Sequence, residues 1–197
     1  MKESIAILKS EHRSISAVLL GLKHLAEMSQ DPQLKPDFQV FRSMLRYIDE
    51  YPERLHHPKE DAYLFARLLA RFPQSARLVE GLTLEHAHGA KLIRELERRL
   101  VFFEEGWPSG AGEFLGAVDA YADFHWKHMR KEEVELLPLA EQHLSAEDWR
   151  VIDAAFKANE DPMSQIVQRD FQALFSRIAN IAPAPVGLGE SWKKLTN

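Results

Sequence analysis

A short pattern that occurs twice constrains the fold of this chain more than any other feature. Residues 56–61 and 128–133 both read H-x-x-K-E-[DE], and a leucine follows four residues after each glutamate. A histidine and a carboxylate four residues apart lie one turn above the other on one face of a helix. Each copy can therefore direct both side chains towards one metal ion in the interior of a helical bundle.

A second repeated pattern indicates that the chain is built from two similar halves. Leu8–His12 and Leu82–His86 share the pattern L-x-x-E-H, and each copy precedes an H-x-x-K-E motif by a little over forty residues. A single His-x-x-x-Glu pair is common on solvated helices and is weak support for a metal site. Two successive helix pairs of the same design give stronger support, because the repeat supplies each ligand type again.

Composition narrows the classes of protein and of ligand. The 197 residues are 45% hydrophobic and 28% charged, which suffices for one well-filled core. The net charge of -5 is spread over interleaved acids and bases, so the chain has no basic stripe for nucleic acid or an anionic membrane. The absence of cysteine excludes thiolate zinc sites and cysteine-ligated iron–sulfur clusters, so any metal must bind nitrogen and oxygen ligands.

The first twelve residues carry charges and no apolar run. This composition predicts neither a signal peptide nor a membrane span, and we expect a cytoplasmic protein.

Hydrophobic periodicity predicts an all-α protein, an up-down-up-down four-helix bundle with additional C-terminal helices. The four long helices are expected over about residues 3–28, 36–71, 74–104 and 112–137. Pro52 and Pro58 lie inside the second helix and should bend or widen it, because each lacks a backbone donor. The helix either breaks here or is held in a distorted turn by its neighbours. Pro138 is expected to end the fourth helix.

The C-terminal part of the sequence differs in character. Ser145 followed by two acids is typical of a helix start and predicts a short helix to about Ala158. A further apolar-periodic segment covers residues 166–178. We expect residues 1–142 to form the bundle, 143–181 a helical extension and 182–197 a loose tail. The extension either caps the bundle or packs against a second copy to form a homodimer.

Helix geometry places the motif histidines at one level. At about 1.5 Å of rise per residue, His12 and His56 lie about 25 to 29 Å from the turn between their helices. His86 and His128 lie about 24 to 27 Å from theirs. Antiparallel packing would bring all four histidines into one layer.

The complete series of motifs is E-H, H-H-P-K-E-D, E-H and H-x-x-K-E-E. In a helical chain it resembles the hemerythrin-like (HHE cation-binding) domains, over about residues 4–140. The resemblance implies a non-haem di-iron site whose terminal ligands are His12, His56, His86 and His128 and whose bridging carboxylates are Glu60 and Glu132. Oxygen-carrying hemerythrins have a second histidine four residues after the one on the third helix. This chain has Ala90 there, which argues against oxygen carriage of that kind.

The chemistry of these ligands agrees with the resemblance. Imidazoles and carboxylates suit iron, and manganese and zinc stay open as alternatives. Carboxylates from two facing helices can span ions roughly 3.5 to 4 Å apart. His12 with His56 would hold one ion, and His86 with His128 the other. Each ion would keep an open position for dioxygen, peroxide or nitric oxide.

Two further histidines compete with the assigned ligands. His57 is one step round the helix from His56, but only His56 has a glutamate four residues later. His125 has Met129 at the equivalent position, so the repeat favours His128. His88 is two residues from His86 and is expected to point away from the layer. His24 and His143 have no motif partners and are expected at the surface.

Four acids lie next to the assigned ligands. They are Glu11, Asp61, Glu85 and Glu133. Such residues can accept hydrogen bonds from the outer ring nitrogens of ligand histidines. Neighbouring residues of a helix, however, point in different directions. We therefore expect these four acids to lie at the solvated surface.

Three functions fit this sequence. The favoured one is a di-iron protein that binds or senses dioxygen, nitric oxide or reactive oxygen species; weak oxidase or peroxide-handling activity is left open. The second is storage of iron or its donation for iron–sulfur cluster repair. The third is an interaction module that a metal stabilises, which the C-terminal segments would serve.

Overall fold

The computed structural model describes residues 2–158 and 176–192, and its centre is a bundle of four long helices. Helix α1 is Glu3–Met28, α2 covers residues 38–71, α3 is Ala76–Gly106 and α4 covers residues 111–143. A 3-10 turn, Pro73–Ser75, joins α2 to α3. Each long helix packs against the next, and α4 also packs against α1. The expected all-α four-helix bundle is therefore confirmed.

Helices α2 and α4 change their winding where the motifs lie. Within α2, the segments are Phe38–Ile48 (α), Asp49–His56 (π), His57–Lys59 (α), Glu60–Phe65 (π) and Ala66–Arg71 (α). Within α4, they are Ala111–Lys131 (α), Glu132–Leu136 (π) and Leu137–His143 (α). A π turn thus begins at the glutamate of each H-x-x-K-E motif, and π turns are frequent at functional sites.

The prolines explain part of this winding. Pro52 lies inside the first π segment, and Pro58 lies in the short α segment that follows it. Neither can donate the usual backbone hydrogen bond. The π segments confirm that α2 is widened here, and the helix does not break. The expectation that Pro138 ends α4 is wrong. Pro138 lies in the first turn of the final α segment, where a missing backbone donor costs little, and the helix continues to His143.

Two hydrophobic clusters fill the bundle. The larger includes Leu22 of α1 and Phe41 of α2, and the smaller includes Leu8 and Leu64 of the same two helices. On α1, α2 and α3, the motif histidines and glutamates fall between the stretches that contribute to these two clusters, and on α4 they begin where the larger cluster ends, at Met129. A polar layer therefore lies inside the bundle with apolar packing on both sides.

A fifth helix, α5 (Ala146–Lys157), covers one end of the bundle. Ser145 and Asp148 form a reciprocal capping box at its start, as the sequence predicts. Asp148 also accepts hydrogen bonds from Arg71 of α2, and Asp153 accepts one from the Ser4 hydroxyl of α1. Helix α5 contributes buried apolar side chains to the smaller cluster and so closes that end.

The described C-terminal residues are folded onto the other end. Residues 176–181 are helical, and the Gly189 backbone donates to Ala182 at 2.8 Å. Trp192 is 8% exposed and lies against Phe41, with 6.0 Å between the ring centroids. Ala182 and Trp192 are therefore buried, whereas Leu188 between them is 86% exposed, and the boundary of a loose tail at residue 182 stays a prediction. Most of the expected apolar segment at 166–178 lies outside the described residues.

Within residues 2–158 and 176–192, no helix combines the length and the apolar character needed to cross a lipid bilayer.

Candidate metal centre

The centre of the polar layer is a pair of glutamates without solvent exposure, Glu60 and Glu132. His56 Nε2 lies 3.5 Å from Glu60 Oε1, and His86 Nε2 lies 3.6 Å from Glu60 Oε2. His12 Nε2 lies 3.2 Å from Glu132 Oε2. His128 Nε2 lies 3.2 Å from Glu132 Oε1. The two oxygens of each carboxylate thus face histidines from different halves of the chain, as bridging carboxylates would.

All six residues that the sequence singles out come together in this layer. Two sets of four residues each have ligand atoms within 4.8 Å of one another. One set is His12, His56, Glu60 and Glu132; the other is His57, Glu60, His86 and His128. Both sets are buried and share Glu60, so two cations held here would be neighbours.

The acids next to the motif histidines orient the rings. Nδ1 of each histidine lies within hydrogen-bonding distance of one carboxylate. These contacts are Glu11–His56 at 2.7 Å, Asp61–His86 at 3.1 Å, Glu85–His128 at 2.9 Å and Glu133–His12 at 2.8 Å. In order, they join α1 to α2, α2 to α3, α3 to α4 and α4 to α1. The expectation that these four acids lie at the solvated surface is therefore wrong for Glu11, which is 6% exposed. The other three side chains are 30 to 36% exposed, yet each reaches a histidine on the adjacent helix.

The lysine of each H-x-x-K-E motif forms an ion pair with one of these acids. Lys59 donates to Glu11 at 2.9 Å, and Lys131 donates to Glu85 at 2.9 Å. Each lysine thus neutralises the acid that orients the histidine three residues before it. The two halves repeat this arrangement, as their repeated sequence predicts.

A carboxylate at Nδ1 also fixes which nitrogen carries the proton. A neutral imidazole that donates from Nδ1 presents the lone pair of Nε2. Nε2 of His86 and Nε2 of His128 face each other at 3.1 Å. Two lone pairs at that distance repel, and either a proton or a cation between them removes the repulsion.

Several inward-facing atoms have no hydrogen-bond partner among the described residues. At the centre of the layer they are Nε2 of His12, Nε2 of His56 and both carboxylate oxygens of Glu60 and of Glu132; beside the layer, Nδ1 of His57 and Nε2 of His125 are unpaired too. Each is buried, and burying an unpaired polar atom is costly. The donor set and its burial therefore fit bound cations, for which the six central atoms would be ligands.

Burial and mutual charge shift the pKa values of this layer. Burial and the nearby charge of Glu132 raise the pKa of Glu60 well above its ordinary value. Burial opposes ionisation of Glu132 too, but His128, His12 and His86 outweigh it and hold the pKa of Glu132 well below its ordinary value. Burial also opposes protonation of His128, but Glu132 and Glu85 raise its pKa to about 9. Without a cation, the layer therefore holds protons.

Four residues form a second buried polar group beside this layer. His57 Nδ1 and His125 Nε2 lie 3.3 Å and 3.4 Å from the carboxylate of Glu53, and Tyr121 donates to the same carboxylate at 3.0 Å. Glu53 and Tyr121 are not among the residues that the repeated motifs single out. Glu53 lies four residues before His57, the motif spacing in reverse, and that spacing is the signal that would have found it.

The remaining histidines lie elsewhere. His88 is exposed and contacts the edge of Phe124, so it points away as expected. His143 stacks on Phe72, with 3.8 Å between the ring centroids.

Comparison with known proteins identifies the bundle. A family model for the hemerythrin HHE cation-binding domain matches residues 3–140. The chain belongs to the hemerythrin HHE cation-binding family. The match covers α1 to α3 and almost all of α4, and it stops before α5. No curated protein matches this chain.

The family assignment agrees with the geometry of the layer. This HHE domain contains two buried His/Glu sets of the kind that bind a metal ion, and both lie within the matched residues.

Proposed function

We propose that this HHE domain binds two iron ions and uses them to bind or sense dioxygen, nitric oxide or reactive oxygen species. The proposed terminal ligands are His12, His56, His86 and His128, and the proposed bridges are Glu60 and Glu132. The unpaired, buried ligand atoms carry this proposal. Nitrogen and carboxylate oxygen suit iron, and manganese or zinc would fit the same set.

A pair of iron ions would supply open coordination positions and electrons for a small ligand. The chain supplies orientation, because a carboxylate at Nδ1 holds each of the four imidazoles. It also keeps bulk water out, since apolar clusters lie on both sides of the layer.

A surface groove between α1 and α4 is consistent with a small and largely apolar ligand. Leu20, Trp126 and Met129 are part of its lining, and His12 and Glu133 also border it. A diatomic molecule can therefore approach one edge of the layer along apolar side chains. The ring that closes this edge, His12, is one of the proposed ligands.

Anaerobic addition of ferrous iron, followed by air or by nitric oxide, tests the proposal. We expect uptake of two iron ions per chain and a change in near-ultraviolet and visible absorption after exposure to either gas. His86→Ala should lose most of the iron, whereas His88→Ala, two residues away on the exposed face, should keep it. Two tightly bound irons with an unchanged spectrum in both gases would contradict the sensing function while leaving the site intact.

A further inference from the structure

We infer that His57 is a fifth imidazole of the centre and binds the same cation as His86 and His128. The inference rests on the proposed two-iron function and adds a ligand that the motif repeat does not select. The ligand atoms of His57, Glu60, His86 and His128 lie within 4.8 Å of one another. The His57 ring is 4% exposed and stacks on His86, with 4.1 Å between the ring centroids.

Winding of α2 brings two consecutive histidines into the interior. His56 ends the π segment Asp49–His56, and His57 begins the next α segment. Both side chains are buried, although consecutive residues of a regular helix lie about 100° apart. A broad inward face at this level allows His56 to serve one cation and His57 the other.

His57 also has a carboxylate beside its Nδ1, although the contact is longer than the 2.7 to 3.1 Å hydrogen bonds of the other four histidines. Its Nδ1 lies 3.3 Å from Glu53 Oε2, and the Glu53 side chain is 4% exposed. A ligand histidine usually presents one nitrogen to the metal and donates from the other to a carboxylate. Glu53 is therefore the carboxylate placed to orient His57, at a longer distance than the 2.7 Å that separates Glu11 from His56.

Neighbouring residues hold Glu53 in place for this role. Tyr121 donates to Glu53 Oε1 at 3.0 Å. Gly89 of α3 leaves the space that Glu53 needs, because a Cβ atom there would lie 3.0 Å from Glu53 Oε1. The next residue is Ala90, the position at which the sequence lacks a further histidine on α3. Helix α2 thus provides, through His57, an imidazole that α3 does not.

The two halves of the chain differ at this point. The residue after His56 is His57, whereas the residue after His128 is Met129, which packs in the larger hydrophobic cluster. A thioether is a soft ligand and suits iron poorly compared with imidazole. The proposal therefore gives two imidazoles to one cation and three to the other, so the two sites should be inequivalent.

His125 provides a matched control. It is buried and its Nε2 lies 3.4 Å from Glu53 Oε1, yet it belongs to neither set of converging ligand atoms. Both His57→Ala and His125→Ala remove a buried imidazole from the same polar group. Only the first should remove a metal ligand.

The test is anaerobic titration with ferrous iron, followed by Mössbauer spectroscopy of samples loaded with enriched iron. The unaltered chain should bind two irons and give two different quadrupole doublets of equal area. His57→Ala should bind its second iron at least about 10-fold more weakly and keep the first within about twofold. His125→Ala should keep both irons and both doublets. If His57→Ala is poorly folded by circular dichroism, His57→Gln should show the same selective loss.

A titration and spectrum of His57→Ala or His57→Gln that match the unaltered chain would overturn the inference and leave the two-iron proposal standing. A single doublet from the fully loaded unaltered chain would also count against inequivalent sites. Fewer than two irons in the unaltered chain would instead refute the proposed function, and the assignment of His57 with it.

Discussion

Glu11 Oε2 lies 2.7 Å from His56 Nδ1 and joins the first motif of the chain to the second. Burial opposes the ionised form of Glu11, but His56 and Lys59 outweigh it and lower the pKa of Glu11 to about 2. Glu11 is therefore a carboxylate at neutral pH, and it fixes the tautomer and direction of the His56 ring.

Glu11→Gln should weaken iron binding by about 10- to 100-fold without removing a ligand, because an amide orients the imidazole less strongly than a carboxylate. Equilibrium competition with a coloured chelator would measure the affinity. Glu27→Gln, at an exposed position of the same helix, is the control and should bind as the unaltered chain does. Equal affinities for both variants would show that the contact does not support the metal.

Glu60→Gln should have opposite effects on the metal-free and the iron-loaded protein. Without iron, the substitution removes a buried acid next to Glu132 and should leave the free energy of unfolding unchanged or raise it by about 1 kcal/mol. With iron at about 100 times the dissociation constant, the unaltered chain should gain about 2.7 kcal/mol for each iron that it binds and the variant does not. Urea unfolding with and without iron would measure both values, with exposed Glu135→Gln as the control. A variant that is strongly destabilised without iron would contradict this account.

Iron binding at pH 7 should release at least about one proton per chain, because ligand nitrogens must give up their protons. The pKa of His128 is raised to about 9, so His128 carries a proton at pH 7 until a cation replaces it. Burial lowers the pKa of His56 to about 4, so its imidazole is already neutral at pH 7 and should release no proton when iron binds. Calorimetric titrations in two buffers with different ionisation enthalpies would count the protons.

The raised pKa of His128 also predicts how pH affects the stability of the metal-free protein. A raised pKa means that protonated His128 stabilises the fold fully below about pH 6.5, and that this contribution disappears as pH rises through about 9. In the calorimetric iron titrations described above, identical binding enthalpies in both buffers would show that His128 is already deprotonated before iron binds.

Asp148→Ala should lower the free energy of unfolding by about 1 to 2 kcal/mol, because Asp148 completes the capping box of α5 and accepts hydrogen bonds from Arg71. Arg71 and Ser145 lower the pKa of Asp148 to about 2. Its contribution is therefore present above about pH 3.8 and disappears as pH falls through about 2. Thermal unfolding between pH 2 and 6 would measure this loss. Glu147→Ala, in the same turn but exposed, should cost less than about 0.5 kcal/mol.

The repeat determined much of this protein by itself. His12, His56, His86 and His128 could be assigned to one layer because helical rise is constant and the two halves share one spacing. The glutamates followed from the four-residue step on a helix. The start of α5 could be predicted because a capping box depends on neighbours in sequence, here Ser145 and Asp148.

Only the tertiary structure decided what surrounds those histidines. Asp61 reaches His86 on the next helix, and no pattern within one helix shows which side chain of another helix it will meet. The continuation of α4 past Pro138 depends on a π turn, a change of winding that simple periodicity does not predict. The four-residue spacing of Glu53 and His57 is visible in the sequence, but only the packing of α2 against α4 showed that Tyr121 and His125 contact the same carboxylate. Helical register is a local property of the sequence, whereas the partner of a buried polar atom depends on which helices become neighbours.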